Sequence, residues 1–246
     1  MKVLNFGSLN VDYVYQVDHF VRPGETLDAL HQTVNPGGKG LNQSVALAKA
    51  GAAVCHAGCV GQGGGMLRQT LESYGVDTAY LKETETLQGN AVIQVDRSGQ
   101  NCILLYGGSN RRLTEAQISE TIARFSPGDW LILQNETNLL PELVDAGFAK
   151  GMRVVLNPSP YNESIAQVDL SKVSWLLVNE VEAKQCSGTD EPEKVWAYLH
   201  GRYPSLSLLV TLGGDGSAAF TGTERVRHVR KQKLEAFGVV LRNLGA

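Results

Sequence analysis

Pro36-Gly37-Gly38-Lys39-Gly40-Leu41-Asn42-Gln43 runs directly into Ser44-Val45-Ala46-Leu47-Ala48-Lys49-Ala50-Gly51, a glycine-dense loop that opens an apolar-rich helix. Bare N–H groups at the positive end of a helix attract anionic and polar ligands, and glycine lets a ligand approach the main chain closely. Lys39 adds a mobile positive charge, and Asn42 and Gln43 add amides on the first turn. That set suits a polyhydroxylated or phosphorylated small molecule. It is not a Walker A loop, because Thr33 and Gly40 stand where that motif needs its first glycine and its Ser or Thr. A plain glycine turn is the competing reading.

Other candidate residues fall at strand ends. Asn10 and Asp12 follow the apolar run Lys2–Phe6, and two residues apart on an extended chain they face one side, an amide and a carboxylate able to clamp vicinal hydroxyls. Turn formation is their other reading. Glu136 lies just past the apolar strand Trp130–Gln134. Asn179 and Glu182, at spacing three, can share one face of a helical turn and hold a hydrated Mg²⁺; a solvated surface acid is the alternative for Glu182. Thr211-Leu212-Gly213-Gly214-Asp215-Gly216 ends a further strand in a tight turn, which either wraps a nucleotide phosphate or only reverses the chain.

These positions need elements to hold them. Strands are expected at Lys2–Phe6, Asn10–Val17, Thr26–Val34 and Val54–Val60, and a hairpin at Ala91–Val95 and Asn101–Tyr106 around Asp96-Arg97-Ser98-Gly99. Helices are expected from about Gly40 to Ala50 and over Met66–Tyr74, Thr114–Phe125, Leu139–Lys150 and Glu193–Tyr203. Strands Trp130–Gln134, Val154–Leu156, Trp175–Val178 and Leu208–Leu212 alternate with the later helices. This pattern predicts an α/β fold with a mostly parallel sheet covered on both faces, ligands lying beyond the carboxyl ends of its strands. The early strand pairs break the alternation and read as a small second sheet inserted in two pieces.

With 246 residues, 43% hydrophobic and 19% charged, the chain can bury a substantial core. A net charge of −3 argues against a nucleic-acid or anionic-membrane partner. The basic segment Arg225–Lys233 reads as a strand with one wet face. The N-terminal apolar run is too short for a signal peptide and no later stretch could span a bilayer, so a cytoplasmic location is expected. Cys55, Cys59, Cys102 and Cys186 have no zinc or CxxC spacing and read as reduced, mostly buried thiols. The five scattered histidines pair with no Ser or Cys signature, so hydrolase chemistry is unsupported.

Gly7-Ser8-Leu9-Asn10-Val11-Asp12, Pro23-Gly24-Glu25-Thr26, Gly37–Gln43, Asn157-Pro158-Ser159-Pro160, Asn179-Glu180-Val181-Glu182 and Thr211–Gly216, in that order, resemble the ribokinase family of phosphofructokinase-B-type carbohydrate kinases. Gly108-Ser109-Asn110-Arg111 is similar to that family's return from lid to core. The resemblance implies a three-layer α/β/α, Rossmann-like core (1–11, 35–88 and 107–246) with a β-sheet lid (12–34 and 89–106) that pairs subunits into a homodimer. It implies sugar contacts from Asn10, Asp12, Gly38, Lys39, Asn42 and Glu136. It implies ATP contacts from Asn179, Thr211, Gly213 and Gly216, with Mg²⁺ at Glu182. The expected partners are a sugar and ATP.

Gln62 departs from the family's usual acidic residue. A larger departure follows Leu234-Glu235-Ala236, where the family carries Asp-Thr and then Gly-Ala-Gly-Asp, an anion hole and the catalytic base. This chain reads Phe237-Gly238-Val239-Val240-Leu241-Arg242-Asn243-Leu244-Gly245-Ala246, with no aspartate after Asp215. No catalytic residue is therefore assigned, and residues matching the family's monovalent-cation site are missing. The resemblance thus carries an expectation of an impaired or inactive kinase, truncated or frame-shifted after about residue 236, with apolar sheet surface left uncovered and association favoured. A non-catalytic sugar-binding module and a nucleoside kinase are the rival readings.

Overall fold

Along the strand Val54–Gln62, side chains alternate between two cores. Cys55, Ala57 and Cys59 join one apolar cluster, while Val54 and Val60 join the other. Only a strand buried on both faces reads this way, and it sits near one side of a large sheet with helices above and below. The computed structural model that reveals this describes residues 1–222 and 224–226.

In chain order, β1 (Val3–Phe6), β2 (Asn10–Gln16) and β3 (His31–Gly37) lead into α1 (Lys39–Lys49), β4 (Val54–Gln62), α2 (Gly65–Ser73) and β5 (Asp77–Leu87). The hairpin β6 (Asn90–Val95) and β7 (Asn101–Tyr106) precedes α3 (Glu115–Ile122), β8 (Trp130–Gln134), α4 (Leu140–Ala149) and β9 (Arg153–Asn157). The rest is β10 (Trp175–Asn179), α5 (Glu180–Ser187), α6 (Pro192–His200), β11 (Ser207–Thr211), β12 (Ser217–Thr221) and β13 (Glu224–Val226). The large sheet runs β13-β12-β11-β10-β9-β8-β1-β4-β5, parallel except for the antiparallel β12 and β13. A second sheet, ordered β3-β2-β6-β7, forms the lid. Residues of α1 and α2 share one cluster with Leu9, Val11, Val54 and Val60; residues of α3 to α6 share the other with β1 and β8 to β11. The large, mostly parallel sheet with helices on both faces and a small second sheet is the α/β architecture that the sequence led us to expect.

Four features differ from the sequence reading, and for two strands the cause is physical. The lid strand expected over Thr26–Val34 lies at His31–Gly37, because its register against β2 (Gln16↔His31 to Asn10↔Gly37) carries it straight into the glycine loop. β5 was not expected: it is an edge strand whose exposed positions hold Lys82, Glu83 and Glu85, which mask strand periodicity. The short α5 was foreseen only as one helical turn. Cys102 is exposed on lid strand β7, unlike the buried Cys55 and Cys59. The basic segment 225–233 lies almost wholly outside the described residues, as does the change of sequence after Ala236.

Candidate active site

The parallel strands β1, β8, β9, β10 and β11 end on one line, set by the pairs Phe6↔Leu133, Gln134↔Asn157 and Asn179↔Thr211. Every candidate residue comes from a loop or strand leaving that line, or from the lid beside it. Beneath the glycine loop lies a buried polar network. Asn5 donates through Nδ2 to the Gly40 carbonyl (2.8 Å) and Ser44 Oγ (2.9 Å), and Gln134 Nε2 donates to Asn5 Oδ1 (2.9 Å) and Gln43 Oε1 (2.7 Å). Ser44 Oγ, having accepted from Asn5, lies 2.7 Å from His56 Nδ1. Burial lowers this imidazole to about 4, so it is held neutral.

This network carries a loop with no spare room. A Cβ on Gly40 would lie 2.4 Å from the Ser8 nitrogen, so main chain must pack against main chain there. Gly38 has φ +92°, a conformation that favours glycine, and caps α1. Leu41 N–H donates to the Ser8 carbonyl at 3.0 Å and Gly40 N–H to Ser8 Oγ at 3.2 Å. Ser8 Oγ in turn hydrogen-bonds Glu136 Oε2, which also accepts from Lys39 N–H at 3.0 Å. Glu136, past β8, is thus clamped against the helix N-terminus, where a carboxylate is favoured.

Asp12 leans over the same loop: a Cβ on Gly37 would fall 2.0 Å from its Oδ2. Burial, followed by the nearby Glu136 charge, raises the Asp12 carboxyl to about 7. Asn10 precedes it on the same face of β2 and is buried. The Lys39 ammonium makes no ion pair among the described residues. Asn10, Asp12, Gly38, Lys39 and Glu136 are therefore brought together, with Asn42 one turn along α1. The arrangement offers two carboxylates, an ammonium and amides around one loop, donors and acceptors of the kind a polyhydroxylated ligand needs.

The second half of the candidate site follows β10 and β11. Asn179 caps α5: its Oδ1 accepts from Glu182 N–H at 2.8 Å, and its own N–H donates to Glu182 Oε2 at 3.1 Å. Glu182 is 4% exposed, so the reading as a solvated surface acid is wrong for it. The capping box uses one oxygen of this carboxylate, Oε2, and no hydrogen bond to Oε1 is recorded among the described residues. Among the described residues no group of three His, Cys, Asp or Glu side chains gathers to hold a metal alone. Thr211 is buried at the end of β11 beside Asn179. Gly213 (φ +50°) and Gly216 (φ +103°) shape the following turn, and a Cβ on Gly213 or Gly214 would meet nothing within 4 Å, so that turn faces open space.

Sequence reasoning missed Ser8 and Gly37, which position Glu136 and Asp12. Their signal was present, since both lie inside quoted motifs, but their partners are distant in sequence.

Fold and site together define an α/β protein with a second small sheet and a polar cluster at a helix N-terminus. The match to the family described as pfkB family carbohydrate kinase covers residues 1–237, and the chain belongs to that family of phosphotransferases. It is 33% identical over 220 residues to the ribokinase of Haemophilus influenzae, covering 85% of this chain and 71% of that one. It is 30% identical over 246 residues to the ribokinase of Staphylococcus aureus, covering 96% and 80%. The crystal structure of Cryptococcus neoformans ribokinase in complex with ADP superimposes with a TM-score of 0.80 at 30% identity, covering 93% of this chain and 78% of that one.

Proposed function

We propose that this chain carries the sugar-binding half of a ribokinase-like kinase that moves the terminal phosphoryl group of ATP to a sugar hydroxymethyl. The observation that carries the reading is the cluster Ser8–Glu136–Lys39 with Asp12 leaning over Gly37. In it Asp12 and Glu136 accept from sugar hydroxyls, while Asn10, Lys39, Asn42 and the Gly38 main chain complete the grip. Asn179, Thr211, Gly213 and Gly216 line the nucleotide side, and Glu182 holds the hydrated Mg²⁺ of Mg–ATP. The ion would neutralise phosphate charge when bound. A dimer through the lid and a cytoplasmic location belong to the same proposal.

One observation favours a second reading for the polypeptide 1–246 itself, namely sugar binding without turnover. After Ala236 the polypeptide reads Phe237-Gly238-Val239-Val240-Leu241-Arg242, where the family pattern carries Asp-Thr and then Gly-Ala-Gly-Asp. A general base contributes about 10²–10⁴-fold, and loss of an anion hole adds to that deficit. Calorimetry with pentoses, hexoses and nucleosides, beside a coupled ATP-turnover assay, tests both readings. The expected result is pentose binding with turnover at background. Turnover that Lys39→Ala and Asp12→Ala abolish would reject the second reading, and tighter binding of a nucleoside than of any free sugar would reject the first.

A further inference from the structure

Asn110 lies in the 3₁₀ turn Gly108–Arg111, where the chain returns from the lid, and is 2% exposed. Its amide is fixed by main-chain groups whose polarity cannot be exchanged. Leu9 N–H donates to Asn110 Oδ1 (2.9 Å), and Asn110 Nδ2 donates to the Leu9 carbonyl (3.1 Å). An N–H can only donate and a carbonyl can only accept, so the Asn110 side chain has one permitted orientation. Its second Nδ2 proton then requires an acceptor, which is Asn10 Oδ1 at 2.7 Å. That orients Asn10 in turn: its Oδ1 faces Asn110, and its Nδ2 is left without a hydrogen bond among the described residues.

The surroundings admit no slack. A Cβ on Gly89 would lie 2.3 Å from Asn110 Nδ2 and 2.7 Å from Asn10 Oδ1. The same turn sends Arg111 Nη1 to the Thr137 carbonyl (2.6 Å), next to Glu136. Gln88, on the outgoing crossover to the lid, adds a second donor to the Leu9 carbonyl (2.6 Å).

We propose that Asn110 is a positioning residue that dictates which end of the Asn10 amide meets the sugar, so that Asn10 presents a donor and its sugar hydroxyl must accept. The inference rests on the sugar-site reading above. It divides the recognition: Asp12 and Glu136 take hydroxyl protons, and Asn10 gives one. Asn110→Asp keeps the acceptor for Leu9 N–H and removes the donor, setting oxygen against Asn10 Oδ1 and turning the Asn10 amide round.

Calorimetry with ribose and its monodeoxy derivatives tests this on the full chain. Both Asn10→Ala and Asn110→Asp are expected to weaken ribose by about tenfold or more, the range for loss of one buried hydrogen bond. For one and the same deoxyribose, the one lacking the hydroxyl that Asn10 meets, both variants should bind within about twofold of wild type. Gln88→Met, which loosens the same carbonyl but not Asn10, reports a merely structural loss. If Asn110→Asp weakens every sugar equally, as that control does, the proposal is overturned. Should Asn110→Asp not fold, side-chain amide NMR of the wild type decides. Asn110 Nδ2 protons protected from exchange, with ribose shifting only the Asn10 pair, support the proposal; freely exchanging Asn110 protons reject it. Failure of ribose to bind the wild type overturns the sugar reading instead, and the Asn110–Asn10 bond is still judged by exchange in the unliganded protein.

Discussion

Asp12 and Glu136 are two carboxylates sharing one loop, and they are not equivalent. Glu136 has the Lys39 N–H and the Ser8 hydroxyl, whereas Asp12 is raised to about 7 by burial and then by Glu136. A hydroxyl donates best to an ionised carboxylate. Sugar affinity should therefore rise with pH and level off above about 7, falling by up to about tenfold per unit on the acid side. Titration calorimetry from pH 5.5 to 8.5 reads this, and Asp12→Asn should bind weakly with no such slope. A wild-type affinity that is flat across that range would refute the assignment of Asp12 as the ionised acceptor. Asn10, Asp12, Lys39 and Asn42 were legible in the sequence because each sits within a short motif. Glu136 was legible because a carboxylate follows a buried strand. Ser8 and Asn110 also lie inside quoted motifs, but their roles were not legible, because their partners lie 128 and 100 residues away, and only the pairing of β1 with β8 and the lid crossovers bring them together.

At the scale of elements, strands buried on both faces were readable from their apolar runs, and the two least regular strands were not. β3 is exposed along most of its length and owes its position to pairing with β2, which no local pattern encodes. β5 is a charged edge. The lid's other edge, β7, is different: Ile103, Leu104, Leu105 and Tyr106 are all exposed in a row. An unpaired apolar edge strand invites a partner, and a second lid offers matching chemistry. Under the dimer proposed here, light scattering should report twice the chain mass, and Leu104→Glu should yield a monomer with an unchanged thermal midpoint. A wild-type monomer at tens of micromolar would remove the lid from consideration as an interface.

For the molecule as a whole, the site's two most displaced groups pull its acid stability in opposite directions. Asp12 moves from an ordinary 3.8 to about 7, so between those values the folded chain keeps a proton that the unfolded chain has lost. Its contribution makes stability fall as pH rises through that window. His56 moves from 6.5 to about 4, so between those values the unfolded chain binds a proton that the folded chain refuses. Its contribution makes stability rise with pH over nearly the same range. Each slope is at most about 1.4 kcal/mol per pH unit, and they oppose one another from about 4 to 6.5. The lowered carboxyls Asp96, Asp129 and Asp169 shift below 3.8 and the exposed Glu25 below 4.5, so their contributions bear only on the acid end of this window. The two groups therefore leave wild-type stability nearly level between pH 4.5 and 6.5. Removing one should expose the other. Asp12→Asn should lose stability steadily as the solution is acidified, whereas His56→Gln should gain it relative to its own value at pH 7. Urea denaturation midpoints at one-unit intervals read both slopes, and parallel profiles for wild type and Asp12→Asn would show that Asp12 is not held protonated in the folded chain. The opposition has a simple origin: Asp12 is buried against Gly37 and His56 beneath α1 beside Ser44, and burial disfavours the charged form of each, an anion in one case and a cation in the other.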